Sequence, residues 1–212
     1  MKKYELTGEC KVYFGVTLRR IKSLIDFSDV KKGELGGFIE KEENLSHGGD
    51  AWVYGNARVS GNARVYGDAR VYGNARVSGN ARVYDDARVY GNARVSGNAR
   101  VSGNARVYGD ARVSSNARVS GNARVYDDAR VSGDARVSGN ADYVLIGRIG
   151  SRFGFTTFFR NKNNEIYVSC GCFLGTLAKF RKKVKETHGT DTKYAKVYQA
   201  AADLAEMQIL NK

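Results

Sequence analysis

From Val53 to Val137 a valine occurs at every sixth position without a gap, fifteen in all, and an alanine follows each by four residues. A missed repeat misreads a whole fold, so this period comes before any other reading. Its unit is Val, Tyr or Ser, usually Gly, Asn or Asp, Ala, Arg, as in "YGNARVSGNARVYGDARV" from Tyr54. Valine favours extended backbone. The Gly-Asn and Asp-Asp pairs suit corners that need positive φ. Valine and alanine are therefore expected to point inward, and Tyr, Ser and Arg outward.

A second period of eighteen lies over the first. The residues after the valines sort into Tyr54, Tyr72, Tyr90, Tyr108 and Tyr126, then Ser60, Ser78, Ser96, Ser114 and Ser132. The third series is Tyr66, Tyr84, Ser102, Ser120 and Ser138. Three hexads per coil would stack each series into a column on one face of a triangular prism. Fifteen hexads then make about five coils, roughly 24 Å tall at the ~4.8 Å strand spacing. The chain has no proline, as expected where nearly every amide must donate to a neighbouring coil. The outward Arg and Asn are expected to keep this edge-rich array from associating, and the Tyr column to be cross-strand packing.

The net charge of +13 favours anionic partners. It is unevenly spread. Residues 1–50 carry nine basic and nine acidic groups, residues 51–142 fourteen Arg against eight Asp, and residues 143–212 twelve basic against five acidic. "MKKYELTGECK" has no apolar run, so neither a signal peptide nor a membrane anchor is expected there. Cys10, Cys170 and Cys172 cannot all pair within one chain, which suggests a reducing, cytoplasmic setting. "CGC" lacks zinc-site spacing, and with His47 and His188 the only histidines, no metal is expected.

Residues 1–50 read as a β cap of short strands, "YELTG", "CKVYFG" and "TLRRIKSLIDF", closed by the glycines of "KKGELGGFIE". Residues 51–142 are the β-helix. Residues 143–212 read as a small α+β domain of three strands and two helices. "DYVLIGRI", "TTFFRN" and "EIYVSC" are its strands. Thr176 N-caps a first helix ending at Gly189, and a second runs roughly Lys193–Leu210 with Tyr194, Val197, Tyr198, Ala201, Leu204 and Ala205 on its apolar side.

"KYELTGE", "LGGFIEKEENLS", the "GNARV" array and "IGSR…TTFF…VSCGCFLGTL" together resemble phage and bacterial hexapeptide-repeat proteins labelled polymer-forming proteins or transferases. The resemblance spans the chain and implies a left-handed β-helix and a homo-oligomer, a trimer before a dimer. The phage association brings in proteins that sequester the nucleotide signals of bacterial defence, which would place this chain in the host cytoplasm.

Acyltransferases of the hexapeptide type use a histidine, often beside a loop that leaves the coil; this array has no such break. Hexapeptide carbonic anhydrases need three zinc histidines, and two are present. His47, in "LSHGGD", reads as a turn or cap residue, and His188 as a structural helix-end residue. No catalytic constellation and no cofactor are expected, so the first expectation is a non-enzymatic protein that binds a phosphate-rich small molecule, a cyclic nucleotide or ADP-ribose derivative. The expected site is in the last domain. Arg148, Arg152 and Arg160 offer planar donors for phosphate. Ser151, Thr156 and Thr157 offer hydroxyls, Tyr167 a stacking ring, and Thr176 a helix N-terminus for an anion. The alternatives are a group transferase and a scaffold whose Arg columns hold nucleic acid, the less favoured partner.

Overall fold

The computed structural model describes residues 1–210. Each hexad contributes a two-residue Arg-Val strand, and the strands stack in parallel on three faces. The first face carries Arg58, Arg76, Arg94, Arg112 and Arg130; the second Arg64, Arg82, Arg100, Arg118 and Arg136; the third Arg70, Arg88, Arg106 and Arg124. Register advances by eighteen residues per turn, Arg94 pairing with Arg76 above and Arg112 below. The expected columns are therefore the observed ones. Valines and alanines of the array fill one core, essentially without exposure.

The solenoid has about six turns rather than five. The extra one precedes the hexads. Phe38 and Ile39 pair with Arg58 and Val59, Leu45 bridges Val65, and Trp52 and Val53 pair with Arg70 and Val71. Leu45 and Trp52 are fully buried in this turn. Gly36 and Gly37 let this turn close. A Cβ on Gly37 would lie 2.7 Å from the Ala57 carbonyl oxygen, and one on Gly36 2.5 Å from Ile21.

The hydrogen-bond direction gives the solenoid two chemically different ends. In every turn the N–H of one coil donates to a carbonyl of the next, as from Arg94 to Ala111 at 2.9 Å. The first turn is left with carbonyls and the last with N–H groups, and buried backbone groups need partners. Side-chain donors serve the first end. Lys3 Nζ reaches the carbonyls of Gly49 (2.9 Å) and Ala51 (2.8 Å), and Asn44 Nδ2 those of Gly61 (3.0 Å) and Ala63 (2.8 Å). Acceptors serve the other. Asn140 Oδ1 takes the N–H of Arg124, Thr157 Oγ1 that of Arg130, both at 2.9 Å, and Asp142 Oδ2 that of Ser138 at 2.8 Å.

At the N-terminal end, the strands Tyr4–Tyr13 and Val16–Ser23 form a hairpin that joins the first face through Leu35–Ile39. The C-terminal domain is a four-stranded antiparallel sheet, Tyr143–Ile149, Gly154–Arg160, Ile166–Cys170 and Phe173–Thr176. The last strand was not expected. The helices α1 (Leu177–His188) and α2 (Lys193–Leu210) pack on this sheet. Thr176 caps α1 by accepting from the Lys179 N–H, and Gly189 ends it. The buried side of α2 is Ala195, Ala201, Ala202, Ala205 and Ile209, while Tyr194 and Leu204 are exposed. Small alanines let the helix lie close to the sheet, which turns the buried stripe away from the larger side chains.

Candidate functional site

The residues singled out in the C-terminal domain do not converge on one cavity. Ser151 and Arg152 are exposed at the hairpin tip between Ile149 and Gly154, and Arg148 is exposed just before it, at a register irregularity of the strand Tyr143–Ile149, with φ 54°. Thr156 and Thr157 are buried. Thr157 closes the solenoid end, and Thr156 Oγ1 lies 3.2 Å from Cys170 Sγ. Arg160 turns inward. Its Nε lies 3.3 Å from Asp142 Oδ1, and its other nitrogens donate to Asn164 Oδ1 and the Ile209 carbonyl. Tyr167 is half-buried beside Phe159. Thr176 spends its hydroxyl on the helix cap.

Two cavities lie instead at the ends of the solenoid. The C-terminal one, about 680 Å³, lies against the foot of the Tyr column. Tyr108, Tyr126, Tyr143, Phe155 and Arg124 wall it. The N-terminal one, about 650 Å³, opens where the cap meets the first hexads, between Glu42, Glu43, His47, Arg64, Tyr66 and Arg82.

The N-terminal cleft has the more reactive set of groups. His47 stacks on Tyr4 with ring centroids 4.4 Å apart. Its Nδ1 accepts the backbone N–H of Lys3 at 3.2 Å. In the neutral ring this leaves the proton on Nε2. That nitrogen has no hydrogen-bond partner among the described residues, and Glu42 Oε2 is 3.9 Å away. Glu42 is paired with Lys2 at 2.7 Å, which holds its carboxyl below the usual range. The Tyr4 hydroxyl lies 2.8 Å from the carbonyls of Glu42 and Leu45, and burial raises its pKa. Behind this wall, burial pulls the Lys3 ammonium down to about 8, against the pull of Asp50 and Asp68. Arg64 and Arg82, one rung apart and both exposed, face the cleft beside the stacked pair Tyr66 and Tyr84, whose centroids are 5.0 Å apart.

Sequence reasoning placed His47 in a turn and missed this cleft. The signal was the break in the hexad pattern before Val53, which forces an irregular turn beside the regular ones. Among the described residues no group of His, Cys, Asp and Glu is arranged to hold a metal ion. No described helix is long and apolar enough to cross a membrane.

The hexads match the family model of the YdcK β-solenoid repeat in overlapping windows from 51–67 to 129–141. The array is similar to the YdcK β-solenoid repeat. A relative named "Uncharacterized acetyltransferase YdcK", from Escherichia coli (strain K12), is 35% identical over 80 residues. That alignment covers 31% of this chain and 24% of the relative, so the chain spans about a quarter of the length of the curated protein it matches. The chain is thus a repeat β-solenoid distantly related to a protein with an acetyltransferase name. The expectation of a non-enzymatic protein is overturned by that name, and the transferase alternative moves ahead of it.

Proposed function

We propose that the chain transfers an acyl group from a phosphate-rich, nucleotide-containing donor bound in the N-terminal cleft. One observation carries this reading: His47, whose buried Nε2 has no hydrogen-bond partner among the described residues, lines a cleft with two guanidinium groups, Arg64 and Arg82. The cleft volume is within the usual range for small-molecule sites. Arg64 and Arg82 hold the donor's phosphates, since guanidinium matches phosphate geometry. The ring of Tyr66 gives the donor a flat wall. His47 donates from Nε2 to the carbonyl oxygen that becomes an oxyanion when the acceptor attacks. The Lys3 N–H fixes the ring for that role. Glu43, in no ion pair among the described residues, takes the acceptor's proton as the new acyl bond forms and gives it to the donor's thiolate as the C–S bond breaks, so the donor leaves as the free thiol. The YdcK relative's name supports the class of reaction.

The expected phosphate-rich ligand is retained in this reading, and the same guanidiniums would hold a cyclic nucleotide or an ADP-ribose derivative. The test is calorimetry and thiol release with acetyl-coenzyme A, beside a panel of cyclic dinucleotides and ADP-ribose isomers. His47→Gln should lower turnover about 10²–10³-fold, the usual loss for an oxyanion donor, with donor affinity unchanged. Arg64→Ser should weaken donor binding about tenfold or more. Tight binding of a panel nucleotide with no thiol release would replace the acyl donor by that nucleotide. No binding of any of them would end the reading.

A further inference from the structure

Charge is sorted around the solenoid in a way that the net charge conceals. Six of the array's aspartates, Asp68, Asp85, Asp86, Asp110, Asp127 and Asp128, lie at the two corners that flank the third face. The corner between the first and second faces has instead Asn62, Asn80, Asn98 and Asn116, with Asp134 at its foot. These side chains bond to one another along the axis: Asn62 to Asn80 (3.3 Å), Asn80 to Asn98 (3.0 Å), Asn98 to Asn116 (3.1 Å) and Asn116 to Asp134 (3.2 Å). The lone carboxylate is also paired with Lys162 at 2.9 Å, and Lys41 Nζ donates to Asn62 at 3.0 Å at the opposite end.

Two residues past each of these four amides, and past Asp134, stands an arginine of the second face: Arg64, Arg82, Arg100, Arg118 and Arg136. Four are exposed and Arg100 is half-buried. Two grooves lie in tandem on this track. One, of about 340 Å³, runs over Asn62, Arg64, Asn80 and Arg82 with Lys41 and Glu43 at its end; the other, of about 290 Å³, over Asn98, Arg100, Asn116, Arg118 and Arg136 with the Asp134–Lys162 pair at its end. The arginine column is bordered by the amide ladder on one side and by the Tyr66, Tyr84, Ser102, Ser120, Ser138 column on the other. Its five guanidiniums cover roughly 19 Å at ~4.8 Å per rung.

We propose that this track binds the backbone of single-stranded nucleic acid without sequence preference. A narrow, straight file of guanidiniums matches one phosphodiester strand. The exposed amides offer further donors and acceptors to sugar and base edges, and the Tyr66–Tyr84 pair offers a ring face to one base. The backbone that carries the file is rigid, because each strand is held by the rungs above and below, so the arginines keep their spacing along the axis.

The test uses the full chain and a fluorescent oligothymidylate, with anisotropy measured across a salt series. Five contacts on a single strand give a slope of log K against log salt of up to about −3.5. The triple variant Arg100→Ser, Arg118→Ser, Arg136→Ser leaves the N-terminal cleft intact. It should weaken binding at least tenfold and flatten the slope by about 2. A triple change of equal charge on the third face, Arg88→Ser, Arg106→Ser, Arg124→Ser, should leave both nearly unchanged. Should the first triple fail to fold by circular dichroism, Asn98→Asp with Asn116→Asp places two carboxylates in the track without touching the rungs and should abolish binding. Equal weakening by both triples, or retention of binding in the double Asp variant, would overturn the proposal. So would stronger binding of polyphosphate or of duplex than of the single strand.

Discussion

The ammonium of Lys3 lies 2.8 Å from the carbonyl oxygen of Ala51, sealed inside the first end of the solenoid. Burial disfavours its charge and draws its pKa from 10.5 to about 8. Between those values the unfolded chain binds the proton more than the folded one, so stability rises with pH. The contribution is full above the unfolded value and lost as pH falls through about 8. Lys3→Met strands two carbonyls and removes this slope. Denaturant titrations at pH 7.5 and 9.5 should show the gap between wild type and variant widening at the higher pH; a constant gap would mean that Lys3 does not titrate across this window.

Tyrosine acts in the opposite sense. Burial raises the hydroxyls of Tyr4, Tyr54 and Tyr143 above their ordinary 10.0, and Asp29 adds to the shift at Tyr54. A raised pKa gives stability that is complete below pH 10 and declines as pH climbs past it. Unfolding in the range pH 10–12 should coincide with a step in tyrosinate absorbance. Smooth ionisation from pH 10 with the fold retained would contradict the burial of these rings.

Gly37 has no room for a methyl group against the Ala57 carbonyl oxygen and Val53 Cγ1, both 2.7 Å from its ideal Cβ, whereas nothing lies within 4 Å at Gly8. Gly37→Ala should cost about 1–3 kcal/mol, the usual range for overpacking. Gly8→Ala should be within about 0.5 kcal/mol of neutral. Melting curves of the pair decide whether the sixth turn closes as described.

Thr157→Val keeps the shape of the side chain but leaves the Arg130 N–H without its acceptor. The expected loss is about 1–3 kcal/mol, read by chemical denaturation and by faster amide exchange at Arg130. If ligand affinity fell while stability held, Thr157 would return to the binding role first expected of it.

The array was legible because eighteen-residue sorting of Tyr and Ser has a direct spatial meaning, and the structure stacks Tyr72 on Tyr90 with centroids 4.7 Å apart. The first helix was readable to both its caps and the second to its bounds. The sixth turn was not, because Ile39, Leu45 and Val53 are spaced by the needs of a turn that also seals an end. The strand Phe173–Thr176 was hidden by its glycine and its brevity. Thr157 and Arg160 looked like ligand-binding groups since hydroxyls and guanidiniums satisfy buried backbone as readily as phosphate. Composition cannot tell these uses apart; only the position of the solenoid's last N–H groups can.

Because the two ends are sealed by different chemistry and every turn between them presents the same edges, the body is free to vary in length. Adding or deleting eighteen residues would move the two ends apart or together by roughly 4.8 Å and leave each seal untouched. A change of six or twelve would bring the wrong face under Asn140, Asp142 and Thr157. The chain is in this sense a ruler graduated in whole turns, able to be recut by recombination among its own near-identical segments.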